Sequence, residues 1–197
     1  MSALLYAIAD GPAPADGADL RFVGDGPVAV VGPPDADATP DALRAHMRTV
    51  SELMRDRAVL PVRYGTQLEE PELERLLQER REPLAAALDR VRGAVEVAVH
   101  ARIAAAPTSE AASPRSGTEY LMRRAGNVDP RLLPLAAVAR AVAPAPRSDG
   151  TRLAYLVDRD RLAEFVGAVR ALDHAHPDLE LVCTGPWPPY SFSEGWL

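Results

Sequence analysis

The sequence contains no lysine, so all 22 of its basic residues are arginine. This absence excludes the phosphate-binding lysine of a P-loop or a kinase, and it excludes a lysine Schiff base. The single cysteine, Cys183, excludes an intramolecular disulfide and a zinc site built from several cysteines. Because Cys183 stands in an apolar run, we expect it to be a small buried residue rather than a nucleophile.

Concentrated positive charge and long apolar runs are also lacking. The formal net charge is −6, whereas nucleic acid binding needs a basic surface. No apolar run approaches the roughly 18 residues that span a bilayer, and the N-terminal residues lack the basic region of a signal peptide. These absences predict a soluble cytoplasmic protein that binds neither nucleic acid nor membrane.

Aromatic residues are scarce, with two Trp, five Tyr and three Phe, yet four of them lie in the last eleven residues. They are Trp187, Tyr190, Phe192 and Trp196. Three prolines within residues 186–189 disfavour helix and the interior of a sheet, so they predict an extended, polyproline-like tail over 185–197. Large rings dominate packing wherever they dock. The tail is therefore expected to pack either on its own domain or on another protein.

The first part of the chain, 1–92, has the order β-β-β-α-β-α. Short apolar runs predict strands at 4–9, 20–23, 28–31 and 59–62, the middle two joined by a hairpin turn. Pro61 predicts an edge position or a bulge for the last of them. Thr39 and Pro40 are typical of a helix start, and that helix presents the apolar positions Leu43, Met47, Val50 and Met54. A second helix opens at Pro71, and Pro83 predicts a kink or a division into two helices.

The second part, 93–184, is predicted to contain strands at 95–103, 153–157 and 179–184. A helix with Asp160 as its N-cap lies between the last two strands, and residues 131–141 have some helical character. Residues 104–118 are rich in Ala, Pro and Ser and are expected to be mobile, and residues 143–146 are expected to form a loop. The predicted fold class is α+β, with two small domains, of which the C-terminal one is ferredoxin-like.

A search for catalytic constellations gives no match, and no cofactor is expected. His174 and His176, with Cys183, could hold a metal, but their spacing matches no known ligand motif. Arg63 is a charge embedded in an apolar stretch, so it either pairs with a carboxylate or binds a partner. The residues alone favour a binding or assembly protein over an enzyme.

In several blocks along most of its length, the chain resembles the gas vesicle accessory family GvpF/GvpL. Residues 59–66 (VLPVRYGT) are similar to the family's LPxRFGT block, with Tyr64 where phenylalanine is usual. Residues 184–192 (TGPWPPYSF) resemble the family's most specific signature. Weaker similarity lies at 5–8, 93–97, 119–121 and 154–157. The segment 120–155 is shorter than usual for the family, whose members carry a fuller helical segment there.

The resemblance implies a non-enzymatic minor component or assembly factor of gas vesicle formation, located in the cytoplasm and at the gas vesicle. Its implied partners are the amphipathic shell subunit and other gas vesicle accessory proteins. On this basis we expect Trp187, Tyr190 and Phe192, together with Arg63 and Tyr64, to form or brace the partner-binding surface. The alternatives are a small ligand-binding or enzymatic ferredoxin-like protein and a redox or metal sensor built on Cys183.

Overall fold

The structure is a computed structural model, and it describes residues 2–11, 20–33, 39–103, 129–144 and 151–193. The chain divides into two compact units. Unit 1 consists of residues 1–95 and 187–197, and unit 2 consists of residues 96–186. The predicted mobile segment 104–118 and Trp196 lie outside the described residues.

Unit 1 is built on a five-stranded antiparallel sheet. Its strands are β1 (Ser2–Ala9), β2 (Arg21–Val23), β3 (Val28–Gly32), β4 (Val59–Pro61) and β5 (Gln67–Glu69). The order is β2-β3-β1-β4, and β5 also pairs with β1. β4 pairs with residues 7–9 of β1 and β5 with residues 2–4, so these two strands lie end to end along one edge. The edge position predicted from Pro61 is confirmed.

The helices of unit 1 are α1 (Pro40–Leu53), α2 (Glu70–Glu79) and α3 (Arg81–Val91). α1 starts as predicted, because the Thr39 hydroxyl accepts a hydrogen bond from the Ala42 amide at 3.1 Å. The division predicted near Pro83 is also found. The break falls at Arg80, which leaves Pro83 in the first turn of α3, where the missing N–H needs no partner.

The core of unit 1 forms where α1 meets the sheet. Small apolar residues of the sheet pack with Val50 of α1, and Tyr6, Phe22 and Leu53 pack around them. Ile8, which points to the opposite face of β1 from Ala7, is also fully buried, so β1 is covered on both faces. This double burial explains why β1 is a continuous apolar run rather than an alternating one.

Unit 2 contains a four-stranded sheet in the order β7-β8-β6-β9. Its strands are β6 (Ala94–Ile103), β7 (Ala141–Pro144), β8 (Thr151–Asp158) and β9 (Leu179–Trp187). A 3₁₀ helix, Pro130–Val138, precedes β7, and helix α4 (Leu162–Ala175) connects β8 with β9. Phe165 and Val169 of α4 are buried, and the Phe165 ring packs on Tyr155 with ring centroids 5.0 Å apart.

Several local predictions for this part of the chain were wrong. Residues 143–144, expected in a loop, form the end of β7. Asp160 does not cap α4, because a 3₁₀ turn, Arg159–Arg161, precedes the helix and Arg161 occupies the N-cap position. Cys183 is exposed rather than buried. The buried apolar residues of the unit come instead from β6, the 3₁₀ helix Pro130–Val138, β8, α4 and Leu179 at the start of β9.

Of the described part of the predicted tail, residues 185–187 are extended. β9 continues through Pro186 to Trp187. A proline is tolerated in this strand because β9 lies at the edge of its sheet. Tyr190–Phe192 then form one turn of 3₁₀ helix, in which the Phe192 amide donates to the Pro189 carbonyl at 3.1 Å. Within the described residues, no helix has both the length and the apolar character needed to cross a membrane.

Candidate functional site

The C-terminal segment 188–193 belongs to unit 1 and packs on β4. Trp187, just before it, has a side chain that is 41% exposed. Pro188 and Pro189 are buried, and Tyr190 and Phe192 are half-buried. Because the two prolines are stiff and covered, they fix the position at which the exposed Trp187 ring leaves the unit.

Ser193 attaches this segment to the sheet. Its hydroxyl is buried, 3.1 Å from the carbonyl oxygen of Pro61 in β4 and 2.9 Å from that of Tyr190. The Pro61 carbonyl accepts from a side chain here rather than from another strand. Leaving such a buried carbonyl without its donor lowers the free energy of unfolding by on the order of 1–3 kcal/mol. The hydrogen bond from Ser193 is therefore expected to hold the segment on β4.

Arg63, Tyr64 and Gly65 form a loop between β4 and β5, named here the 63–65 loop. The Val62 amide donates to the Tyr6 carbonyl at 3.0 Å, and the Leu5 amide donates to the Thr66 carbonyl at 2.9 Å. Tyr6 and Leu5 are adjacent in β1, whereas their partners Val62 and Thr66 are four positions apart. The three residues between Val62 and Thr66 therefore have no place in the sheet and form a loop. Gly65 has φ +85°, a conformation that residues with a Cβ rarely adopt.

His46 of α1 lies beneath this loop and is only 1% exposed. Its ring stacks on Tyr6, with centroids 4.7 Å apart and an interplanar angle of 16°, and meets Tyr64 edge-on at 5.4 Å. Gly32 makes room for this stack, since a Cβ there would lie 2.8 Å from the Tyr6 ring. Tyr64, one of the predicted site residues, is thus held by a histidine.

The two ring nitrogens of His46 have different surroundings. Nε2 lies 3.1 Å from the carbonyl oxygen of Val62, which can only accept, so the proton of the neutral ring is on Nε2. Nδ1 is buried and has no hydrogen-bond partner within the described part of the chain. Burial lowers the pKa of His46 below its usual value, although the hydrogen bond to Val62 opposes that shift.

All five predicted site residues lie in unit 1. Tyr190 and Phe192 lie in the turn that packs on β4, and β4 leads directly into Arg63 and Tyr64. Arg63 is exposed and Tyr64 is half-buried. The five residues differ in exposure: Trp187 and Arg63 present exposed side chains, whereas the other three are partly covered by their own unit. Their role in binding a partner stays a prediction.

Sequence reasoning missed His46 and Ser193, the two residues that hold this region together. The predicted apolar face of α1 correctly included Val50, which is buried, but its other members Leu43 and Met47 are 43% and 37% exposed, and the second buried residue of α1 is His46. The i, i+4 spacing of His46 and Val50 was the available signal.

The alternative sites gain no support. The described residues contain no group of three or more His, Cys, Asp or Glu side chains that could hold a metal ion. An open groove of about 310 Å³ lies in unit 1 between the hairpin turn 24–27 and the residues Glu74 and Arg81. Its lining includes none of His174, His176 and Cys183, the residues on which the enzymatic and sensor alternatives depended.

Comparison with solved structures identifies the fold. The fold matches that of the gas vesicle protein GvpF from Anabaena sp. PCC7120 with a TM-score of 0.73, covering 98% of this chain and 99% of that one at 19% identity. GvpF from Microcystis aeruginosa gives a TM-score of 0.70 with the same coverage at 17% identity. At these identities the likeness shows the shared fold, which is that of GvpF.

Sequence comparison then identifies the family. The family model for the gas vesicle synthesis protein GvpL/GvpF matches residues 3–127 and 119–194. Gas vesicle protein L from Streptomyces sp. (strain CB03234) is 32% identical over 191 residues, covering 81% of this chain and 71% of that protein. Gas vesicle protein F of the same strain is 44% identical over 62 residues, or 30% of this chain and 26% of that protein. The chain belongs to the GvpL/GvpF family, and the resemblance seen in its sequence is confirmed.

Proposed function

We propose that this protein acts in gas vesicle formation as a non-enzymatic minor component or assembly factor that binds the amphipathic shell subunit. Family membership supports a role in making gas vesicles. The proposed place of action is the cytoplasm and the gas vesicle, with other accessory proteins as further partners. The observation that carries the binding hypothesis is Trp187, a large exposed ring on an anchored segment.

The physical basis is the chemistry of the proposed partner. A shell subunit that is amphipathic must expose an apolar face before it polymerises, and large exposed apolar patches aggregate. A rigid aromatic side chain covers apolar area with little loss of conformational entropy. Pro188 and Pro189 hold Trp187 in place, so little ordering is left to occur on binding. Arg63 adds an exposed cation on the same unit.

The finer architecture is part of this proposal. We assign unit 2 to the ferredoxin-like class, because its elements follow the order strand, 3₁₀ helix, strand, strand, helix, strand and its sheet has the first and third of these strands in the middle. Two α+β domains at 1–92 and 93–184, followed by a tail at 185–197, remain part of the proposal. The grouping of residues 187–197 with unit 1 supports treating the tail separately from the second domain.

A capture experiment tests the proposed function. Purified shell subunit is immobilised, and binding of the full chain is compared with that of Trp187→Ala. We expect affinity to fall about tenfold or more, since buried Trp residues are typical hot spots. Val142→Ala is the control, because Val142 is equally exposed at 41% but lies in unit 2. Unchanged capture by a folded Trp187→Ala protein contradicts the proposed site, and no capture by the unaltered chain contradicts the proposed function.

A further inference from the structure

Three consecutive carbonyl groups at the root of the 63–65 loop accept hydrogen bonds from side chains. The Pro61 oxygen lies 3.1 Å from the Ser193 hydroxyl, and the Val62 oxygen lies 3.1 Å from His46 Nε2. The Arg63 oxygen accepts from the Thr66 hydroxyl at 2.8 Å. Successive carbonyls of a strand point to alternate sides, so the outward Pro61 carbonyl of this edge strand would otherwise meet water or another strand. Here all three carbonyls accept from side chains of unit 1.

The three donors come from parts of the chain that are far apart in sequence. His46 belongs to α1, Thr66 follows the loop directly, and Ser193 comes from the C-terminal segment, 132 positions after Pro61. His46 and Ser193 are both buried. Because the donors are attached to packed elements, the two residues that precede the loop cannot shift without breaking buried hydrogen bonds.

The loop itself is fixed by the same residues. The His46 ring holds Tyr64 edge-on and is itself stacked on Tyr6. Arg63, next to Tyr64, remains exposed. The loop therefore presents the Arg63 cation and the partly covered Tyr64 ring, and its backbone is restrained at Pro61 and Val62, where the loop begins. Such restraint lowers the entropy lost when a loop binds a partner.

We propose that His46 and Ser193 are positioning residues that hold the 63–65 loop in the shape in which it contacts the shell subunit. This inference rests on the proposed function, and it extends that function from Trp187 to the loop. Ser193 also joins the two candidate regions, because the same hydroxyl contacts the C-terminal segment, which directly follows Trp187, and the strand that leads into the loop.

The test combines a measurement on the protein alone with one on the complex. The variants are Ser193→Ala, which removes the hydroxyl, and His46→Phe, which keeps a ring between Tyr6 and Tyr64 but removes the donor. Hydrogen exchange in peptides that cover residues 59–66 is followed first. We expect about tenfold faster exchange of the Val62 and Thr66 amides in both variants. We expect binding to immobilised shell subunit to weaken about three- to tenfold.

Two controls separate positioning from general damage. Ser51→Ala removes the hydroxyl of an exposed serine in α1 that bonds within its own helix, and it is expected to change neither measurement. Ser193→Thr keeps a hydroxyl and is expected to restore slow exchange and binding, which also covers the case in which Ser193→Ala fails to fold.

Each outcome decides a different point. Unchanged exchange at 59–66 in both folded variants overturns the positioning role, while capture by the unaltered chain still supports the proposed function. Faster exchange with unchanged capture overturns the use of the loop as a contact. Absence of capture by the unaltered chain overturns the proposed function, and with it this inference.

Discussion

At the scale of single residues, His46 couples a buried ring to the backbone of an edge strand. One nitrogen holds the Val62 carbonyl, and the other is buried with no partner in the described part of the chain. Protonation of the ring would add a second N–H at a site where the described residues offer no acceptor. Burial therefore lowers the pKa of His46 from its ordinary value of 6.5.

This shift predicts the pH dependence of stability. Because the unfolded chain binds this proton more readily than the folded chain, the contribution of neutral His46 is present in full above pH 6.5 and is lost as the pH falls below it. A single group gives a slope of at most about 1.4 kcal/mol per pH unit. Urea unfolding between pH 7.5 and 5 is expected to show this fall in the unaltered protein.

The control is His46→Phe, which cannot bind the proton and is expected to show a flatter profile over the same range. The carboxyl groups of Asp129 and Asp178 do not interfere. Hydrogen bonds from Arg131 lower their pKa values below the usual 3.8, so they act in more acidic solution. An equal slope in both proteins would contradict the assignment.

At the scale of secondary structure, α4 contains a glycine that nothing in its surroundings requires. Gly167 lies in the middle of the helix, is exposed and would place a Cβ with no heavy atom within 4 Å. Glycine lowers helix stability relative to alanine through backbone entropy. Gly167→Ala is expected to raise the free energy of unfolding of unit 2 by about 0.5–1 kcal/mol, measured by urea denaturation.

Gly93→Ala serves as the matched comparison. Gly93 also has open space around it, but its φ is +69°, a backbone conformation that disfavours alanine. This variant is expected to lose stability although it gains the same methyl group. Stabilisation by both substitutions, or by neither, would show that backbone conformation does not decide the effect.

The elements that were predicted correctly are those whose sequence signals lie within the element itself or directly beside it. The β2–β3 hairpin follows from the turn residues 24–27, and the start of α1 follows from Thr39 and Pro40, so neither depends on a distant partner. β5 was missed because two of its three residues, Gln67 and Glu69, are polar and exposed, and the segment becomes a strand only by pairing with β1. The residue pattern of β5 is typical of a loop, and only its pairing with β1, which the sequence does not reveal, makes it a strand.

The candidate site divides in the same way. The aromatic residues of the tail and the stretch around Arg63 stand out in the sequence because of their composition. His46 and Ser193 do not, because their roles depend on contacts with Val62 and Pro61 that are distant in sequence. The turn Tyr190–Phe192 was also missed, since proline disfavours an α-helix interior but permits a single 3₁₀ turn directly after it.

At the scale of the whole molecule, unit 1 is assembled from the two ends of the chain. Residues 187–197 return to the unit that residues 1–95 begin, and unit 2 is inserted between them. The returning segment supplies the Ser193 hydroxyl and the buried side chains of Pro188 and Pro189. Unit 1 therefore lacks part of its packing until residues 187–193 have been made.

This organisation predicts the effect of truncation. A chain that ends at Pro186 loses the buried contacts of the C-terminal segment and leaves the Pro61 carbonyl without its side-chain donor. We expect the free energy of unfolding of unit 1 to fall by about 2 kcal/mol or more. Hydrogen exchange is expected to accelerate in β4 and β5 and to stay unchanged in α4 and β8. A chain that ends at Ser193 keeps all these contacts and is expected to exchange like the full chain. If the Pro186 truncation leaves β4 as well protected as before, the segment only lies on unit 1 and does not help to hold it together.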